Sequence, residues 1–277
     1  MKKIAIFLTA LMMSVNAFSQ AQITTRKEKL SDFATRTMKV VLPGTNFIDP
    51  ILQEALNNTW SLSPFEFCSV DEFNSLKNNE EYYFMLPVKV KYKKEEQSGI
   101  MMLTIVKGKA NAKTVNDMVE VVSMPVCAAD FPSGREAAML PGLVDIMQGY
   151  IAKSLQGNFS GIGSYVTPLS KSSRRKAVIA EEDIAPAADS AFREKIAQKG
   201  IDIESGDVAD SLFLAGDSRT LVSYVITPTE PHKGAVCWKI LIDARTHELF
   251  YYKKHTVTGT ENAGFLKGDL KKIAKTR

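Results

Sequence analysis

Three observations predict an α+β fold, two-layer α/β, in two tandem related domains. The segment Phe65 to Leu76 aligns without gaps, 136 residues on, with Ile201 to Leu212, and Ser69/Ser205, Asp71/Asp207, Ser75/Ser211 and Leu76/Leu212 are identical pairs. Both halves carry apolar runs of strand length in the same order. Helix signals stand at matching places in each. The repeated unit reads strand, helix, strand, short helix, three-stranded meander, helix. It spans 36–156 and again 174–277, with 157–173 as linker.

Residues 1–19 read as a signal peptide. Lys2 and Lys3 precede the apolar run Ile4 to Met13, and Ala17-Phe18-Ser19 places small residues where a signal peptidase reads, so cleavage leaves Gln20 first. The run is too short for a hydrocarbon layer of about 30 Å. No cysteine lies near the junction, so lipid anchoring is not expected.

In the first unit, Met38 to Leu42 is strand-like, and Asp49-Pro50 offers an N-cap and a first-turn proline for a helix that presents Ile51, Leu52, Ala55 and Leu56 on one face. Val88-Lys89-Val90-Lys91-Tyr92 alternates, so that strand has one wet face, whereas Ile100 to Val106 is nearly all apolar and reads as central or as a contact between domains. A third strand is predicted over 114–122, and a closing helix over Pro141 to Gln156. The glycine- and serine-rich stretch Gly157 to Ser173 suits a connector. In the second unit, Lys176 to Ala180 is the first strand, Asp189 caps a helix carrying Phe192 and Ile196, and Gly200 ends it. Cys237 to Ile242 and Leu249 to Tyr252 flank a hairpin turn near Arg245, and Gly264 to Arg277 closes the unit as a helix. The repeat predicts that strands 83–92, 100–107 and 114–122 correspond to 219–228, 235–242 and 249–257. It also predicts that Leu76 and Leu212 fill equivalent buried places.

Composition narrows function. The 277 residues are 45% apolar and 24% charged, which excludes collagen, low-complexity disorder and a multi-span membrane protein. Loss of Lys2 and Lys3 lowers the formal charge from +4 to +2, too little to argue for nucleic acid or an anionic membrane. The basic clusters around Arg174 and in the tail read as solvated surface. Three histidines, His232, His247 and His255, have no zinc-ligand spacing, so no metal or cofactor is expected.

One pair has chemical potential. With the turn near Arg245, Cys237 is expected opposite Lys253 and diagonal to His255 on one sheet face, where a thiolate beside an imidazolium would be a candidate nucleophile. No oxyanion donor or orienting acid accompanies it, and packing explains the cysteine as well. Cys68 and Cys127 share the first unit, where a disulfide is topologically open and core packing is equally natural. Glu80-Glu81, Glu95-Glu96 and Glu181-Glu182 lie in polar sequence and read as solvated. Ser173 to Lys176 matches a Ser-x-x-Lys string but sits in the linker. Trp60 and Trp238 read as core. No catalytic residue is assigned.

Val40-Val41-Leu42-Pro43 leading into the helix from Asp49, Phe65-Glu66-Phe67 before Val70-Asp71, and the hairpin through Ile242-Asp243-Ala244 resemble the periplasmic domains of the curli-secretion lipoprotein, the outer-membrane activator of penicillin-binding proteins and the N-terminal domain of the Tol-Pal propeller protein. The resemblance implies an envelope domain that binds other proteins and has no active site. This chain departs from it in carrying two copies and no lipidated cysteine. The sequence-based expectation is a non-catalytic exported cell-envelope protein, periplasmic or secreted, that binds another envelope protein or an envelope polymer. The alternative is a small-ligand binder, or a cysteine-dependent enzyme using the second domain.

Overall fold

The computed structural model describes residues 15–16, 30–93, 95, 97–157 and 161–277. The signal-peptide reading falls outside these residues, apart from Val15–Asn16, which pair in parallel with Val90–Lys91.

The chain is α+β, with two mixed sheets and six α-helices among the described residues. The first unit runs β1 (Met38–Val41), α1 (Asp49–Thr59), β2 (Phe65–Cys68), α2 (Val70–Leu76), β3 (Tyr83–Lys91), β4 (Ile100–Lys107), β5 (Val119–Ala128) and α3 (Glu136–Gln156). The second runs β6 (Lys176–Ala180), α4 (Ser190–Ala197), β7 (Ile201–Glu204), α5 (Gly206–Leu214), β8 (Thr220–Ile226), β9 (Val236–Asp243), β10 (Leu249–Thr256) and α6 (Lys267–Ala274). The sheet orders are β2-β1-β3-β4-β5 and β7-β6-β8-β9-β10, the same topology twice. Register matches too. Met38 faces Phe65 and Tyr83, as Ala177 faces Ile201 and Leu221. Each meander carries a bulge at the corresponding point, between Ile105 and Val106 and between Leu241 and Ile242.

Local chemistry explains the helix starts. Ser69 accepts the Glu72 N–H, and 136 residues later Ser205 accepts that of Val208. Asp189 accepts the Phe192 N–H, as its cap position predicts. Asp49 does not cap: it is the first helical residue, and its carboxylate turns back to the Gly44 N–H.

The third strand of the first unit differs from the sequence reading. It begins at Val119, because Thr114 to Asp117 form a one-turn helix in which Asp117 accepts the N–H groups of Lys113 and Thr114. A short side-chain acceptor outcompetes the ladder there. The matching of strands also shifts. By register Tyr83 corresponds to Leu221, and Met101 to Cys237, rather than to Arg219 and Val236 as the sequence matching of strands predicts. Leu76 and Leu212 hold equivalent places but are only half-buried against the core. The buried side chain of α2 is Phe73; in α5 its equivalent, Ala209, is buried as well, and the large buried side chain is Phe213, one turn further along.

The second sheet has two apolar faces. Ala177, Ile179, Leu221 and Leu241 pack under α4 and α6. Val178, Val222, Tyr224, Ile240 and Ile242 join the core of the first unit. The stretch 157–173 contributes to this packing, since Ile162, Leu169 and Ser172 are buried. No helix among the described residues is long and apolar enough to cross a membrane.

Candidate functional site

The Cys237 and His255 pair is brought together more closely than the turn position predicts. The hairpin turns through Ala244 to His247 and the bulge adds a residue, so Cys237 stands directly opposite His255 and Lys239 opposite Lys253. The residues from Asn262 to Gly264 then lie over the pair. The Cys237 sulfur accepts the Gly264 N–H at 3.2 Å, and His255 Nε2 donates to the Asn262 carbonyl at 2.8 Å. Burial pushes the Cys237 thiol up to about 11 and pushes the His255 imidazole down. A protonated thiol therefore sits beside a neutral imidazole.

Lys239, on the same face, is committed elsewhere. Its ammonium, 3% exposed, pairs with Asp269 of α6, whose other oxygen accepts the Tyr251 hydroxyl at 2.5 Å. Burial pushes the Asp269 carboxyl up, but Lys239 and Tyr251 outweigh it and hold it below its ordinary value. This cluster pins α6 to the sheet. Cys68 and Cys127 lie on β2 and β5, opposite edges of the first sheet, so no bridge joins them, and all three cysteines are free and buried. Trp60 and Trp238 are core residues, as predicted. Among the described residues no group of three or more His, Cys, Asp or Glu is placed to hold a metal ion.

One of the acids that the sequence marks as solvated is a seam residue, and a second seam acid stands beside another of those pairs. Glu95 is buried and accepts the N–H groups of Tyr92 and, from the second unit, Val236. Asp183, next to Glu181-Glu182, is buried against Arg135, the residue preceding α3. Arg135 Nη1 lies 2.9 Å from Asp183, Nη2 lies 2.9 Å from Asp210, and Nη2 also donates to the Ser223 carbonyl at 3.0 Å. Burial opposes the charge on Arg135, yet the two carboxylates hold its pKa above the ordinary value. The Tyr224 ring lies beneath the guanidinium, and its hydroxyl donates to the Val126 carbonyl of β5 at 2.6 Å. A second contact stacks Phe213 on His247, which bonds Asp145 of α3 at 3.0 Å. Neither Arg135 nor Asp183 was signalled by any motif, because their partners are 40 and more residues away in sequence.

A concavity on the second unit lies between α4 and β7. It has a volume of about 590 Å³ and is lined by Glu181, Pro186, Asp189, Arg193, Glu194 and Ile203, among others. β7 is an edge strand, paired with β6 on one side and with no strand on the other among the described residues. Its short sequence alternates: Ile201 and Ile203 face α4, Asp202 and Glu204 the opposite side. Arg193 is tied to Glu181 at 3.1 Å and to the Ala188 carbonyl. Asp189 is held below its ordinary pKa by Lys267 and by the Phe192 N–H it caps. Glu194 makes no ion pair among the described residues and is exposed. Comparison with known proteins finds no family model, no curated relative and no solved structure that matches the chain.

Proposed function

We propose that the protein is an exported cell-envelope module that binds another protein and carries out no catalysis of its own. The observation that carries this reading is the groove beside β7: an apolar floor and a free strand edge, open to solvent, on a scaffold made rigid by the Arg135 seam. Sheet edges with unpaired N–H and carbonyl groups are surfaces on which one polypeptide pairs with another. The thiol that sequence alone offers as a nucleophile is protonated and beneath the Asn262–Gly264 segment, which favours packing over chemistry for it. The resemblance to envelope binding domains points the same way, and the leader sequence supplies the route of export.

The test is photo-crosslinking in intact cells, with a reactive reporter at Glu194 in the groove and a control reporter at exposed Gln53 on α1. Specific adducts from Glu194 and none from Gln53 support a binding module of this site. Adducts at neither position, with the protein present in the envelope fraction, would sink it. Mass spectrometry of the exported chain is expected to find Gln20 at the N-terminus.

A further inference from the structure

We infer that the groove beside β7 takes a basic, extended polypeptide segment, added to the sheet as a strand next to Ile201–Glu204. This rests on the binding-module reading above and names the chemistry of the partner. Three independent features converge on it.

The first is charge. Residues 181–217 hold ten acidic and three basic side chains, although the whole sequence is slightly basic. Within that segment Asp183 and Asp210 are consumed by Arg135, and Asp202 and Asp189 by Lys176 and Lys267. Glu194, Glu204 and Asp207 make no ion pair among the described residues and remain for a partner. In the groove lining itself Glu194 is the carboxylate without an ion pair among the described residues, and Glu204 follows Ile203 on β7, so a cationic ligand meets attraction from both.

The second is the free edge. A guest strand beside β7 would find its backbone groups matched by the ladder, and its side chains would alternate between two environments. Those turned toward α4 meet Ile203, Pro186 and Glu194. Those turned the other way meet Asp202 and Glu204. Long aliphatic stems ending in ammonium or guanidinium groups suit both, with the stem on Ile203 or Pro186 and the head at a carboxylate.

The third is the contrast with the first unit, whose corresponding edge strand β2 carries Phe65 and Phe67 packed on each other, and whose Glu66 and Glu72 are both taken by Lys39. The first unit thus has the carboxylates at this edge neutralised, whereas on β7 Lys176 takes Asp202 and leaves Glu204 without an ion pair among the described residues.

The experiment measures binding of a labelled decapeptide of alternating threonine and lysine to the purified exported chain by fluorescence anisotropy. A decapeptide of alternating threonine and glutamate is the comparison. Binding of the lysine peptide at least tenfold tighter than the glutamate peptide is expected, with amide-exchange protection gained at 201–205 and not at 65–68. The Glu194→Lys/Glu204→Lys variant, checked for unchanged circular dichroism, is expected to weaken the lysine peptide at least tenfold. Equal affinity for both peptides, or protection confined to another surface, overturns the inference. Failure here together with Glu194 crosslinks in cells would leave the binding module standing with a different partner chemistry. Failure of both removes the module reading as well.

Discussion

The two units part company at one point, where the first strand of each leaves its sheet and the third runs on. In the first unit that point on β3 is Pro87, four residues past Tyr83, and proline has no N–H to leave unpaired. In the second, at the same register, Val225 donates to Asp183 at 3.1 Å, the Ser223 hydroxyl donates to the same carboxylate at 2.5 Å, and Arg135 of the first unit neutralises it. The first unit thus closes its edge from within its own chain. The second closes its edge with a carboxylate that needs a cation supplied by its neighbour. Identical topology therefore does not mean identical independence, and the difference is carried by a handful of polar side chains.

The strongest way to break this asymmetry is Arg135→Ala. It leaves Asp183 and Asp210 buried without a cation, and a cost of about 3–5 kcal/mol is expected in chemical denaturation. Hydrogen exchange should accelerate in β8 before it does in β3, and uniform acceleration of both would contradict the assignment. Exchanging the edge residues sharpens it further. Val225→Pro removes the N–H that Asp183 accepts and is expected to cost about 1.5–3 kcal/mol. Pro87→Val restores a donor at a half-exposed edge and should change stability by no more than about 0.5 kcal/mol. Comparable costs for the two would show that the edges are equivalent after all. A smaller effect probes the helix contact, where a Cβ on Gly142 of α3 would lie 2.5 Å from the Phe213 ring. Gly142→Ala should cost about 1–3 kcal/mol through overpacking, with Phe213→Leu in the same chain recovering part of it.

Least in size, but opposite in sign between the units, is the response to acid. The Asp269 carboxyl is held low when folded, so its stabilisation is complete above the unfolded value of about 3.9 and is lost as pH falls through the folded one. Burial raises the carboxyl of Glu120 on β5, so the folded state binds that proton more tightly and gains stability as pH falls toward the unfolded value. Denaturation midpoints between pH 3 and 6 should fall less steeply toward acid in Asp269→Asn than in the wild type, and more steeply in Glu120→Gln. Parallel curves for all three chains would refute both assignments.

What could be read from the sequence follows how local each signal is. The hairpin through Asp243 was legible because alternation and turn residues sit within twenty positions, and its register was missed by two residues because a bulge leaves no mark in composition. The helix caps at Ser69, Ser205 and Asp189 are equally local. Val115 and Met118 are buried as their apolar character suggests, yet they belong to a capped turn rather than a strand, since Asp117 decides the backbone there. Glu95 was misread because a carboxylate in polar sequence is ordinarily wet, and its buried partner is the Val236 N–H, 141 residues away. The groove was invisible for the same reason. Glu181, Pro186, Glu194 and Ile203 come from three separate elements, and no spacing rule joins them.

The acidic edge of β7 has a consequence for how these molecules treat one another. An unpaired strand edge is a template for the next copy of the same chain, and unchecked templating ends in fibres. Two β7 edges approaching side by side would bring the unpaired Glu204 of one molecule toward that of the other, with Glu194 close behind on each. The approach is repelled before any backbone hydrogen bond forms. Like charge thus disfavours pairing of the edge with its own twin while leaving it open to an unlike, cationic strand.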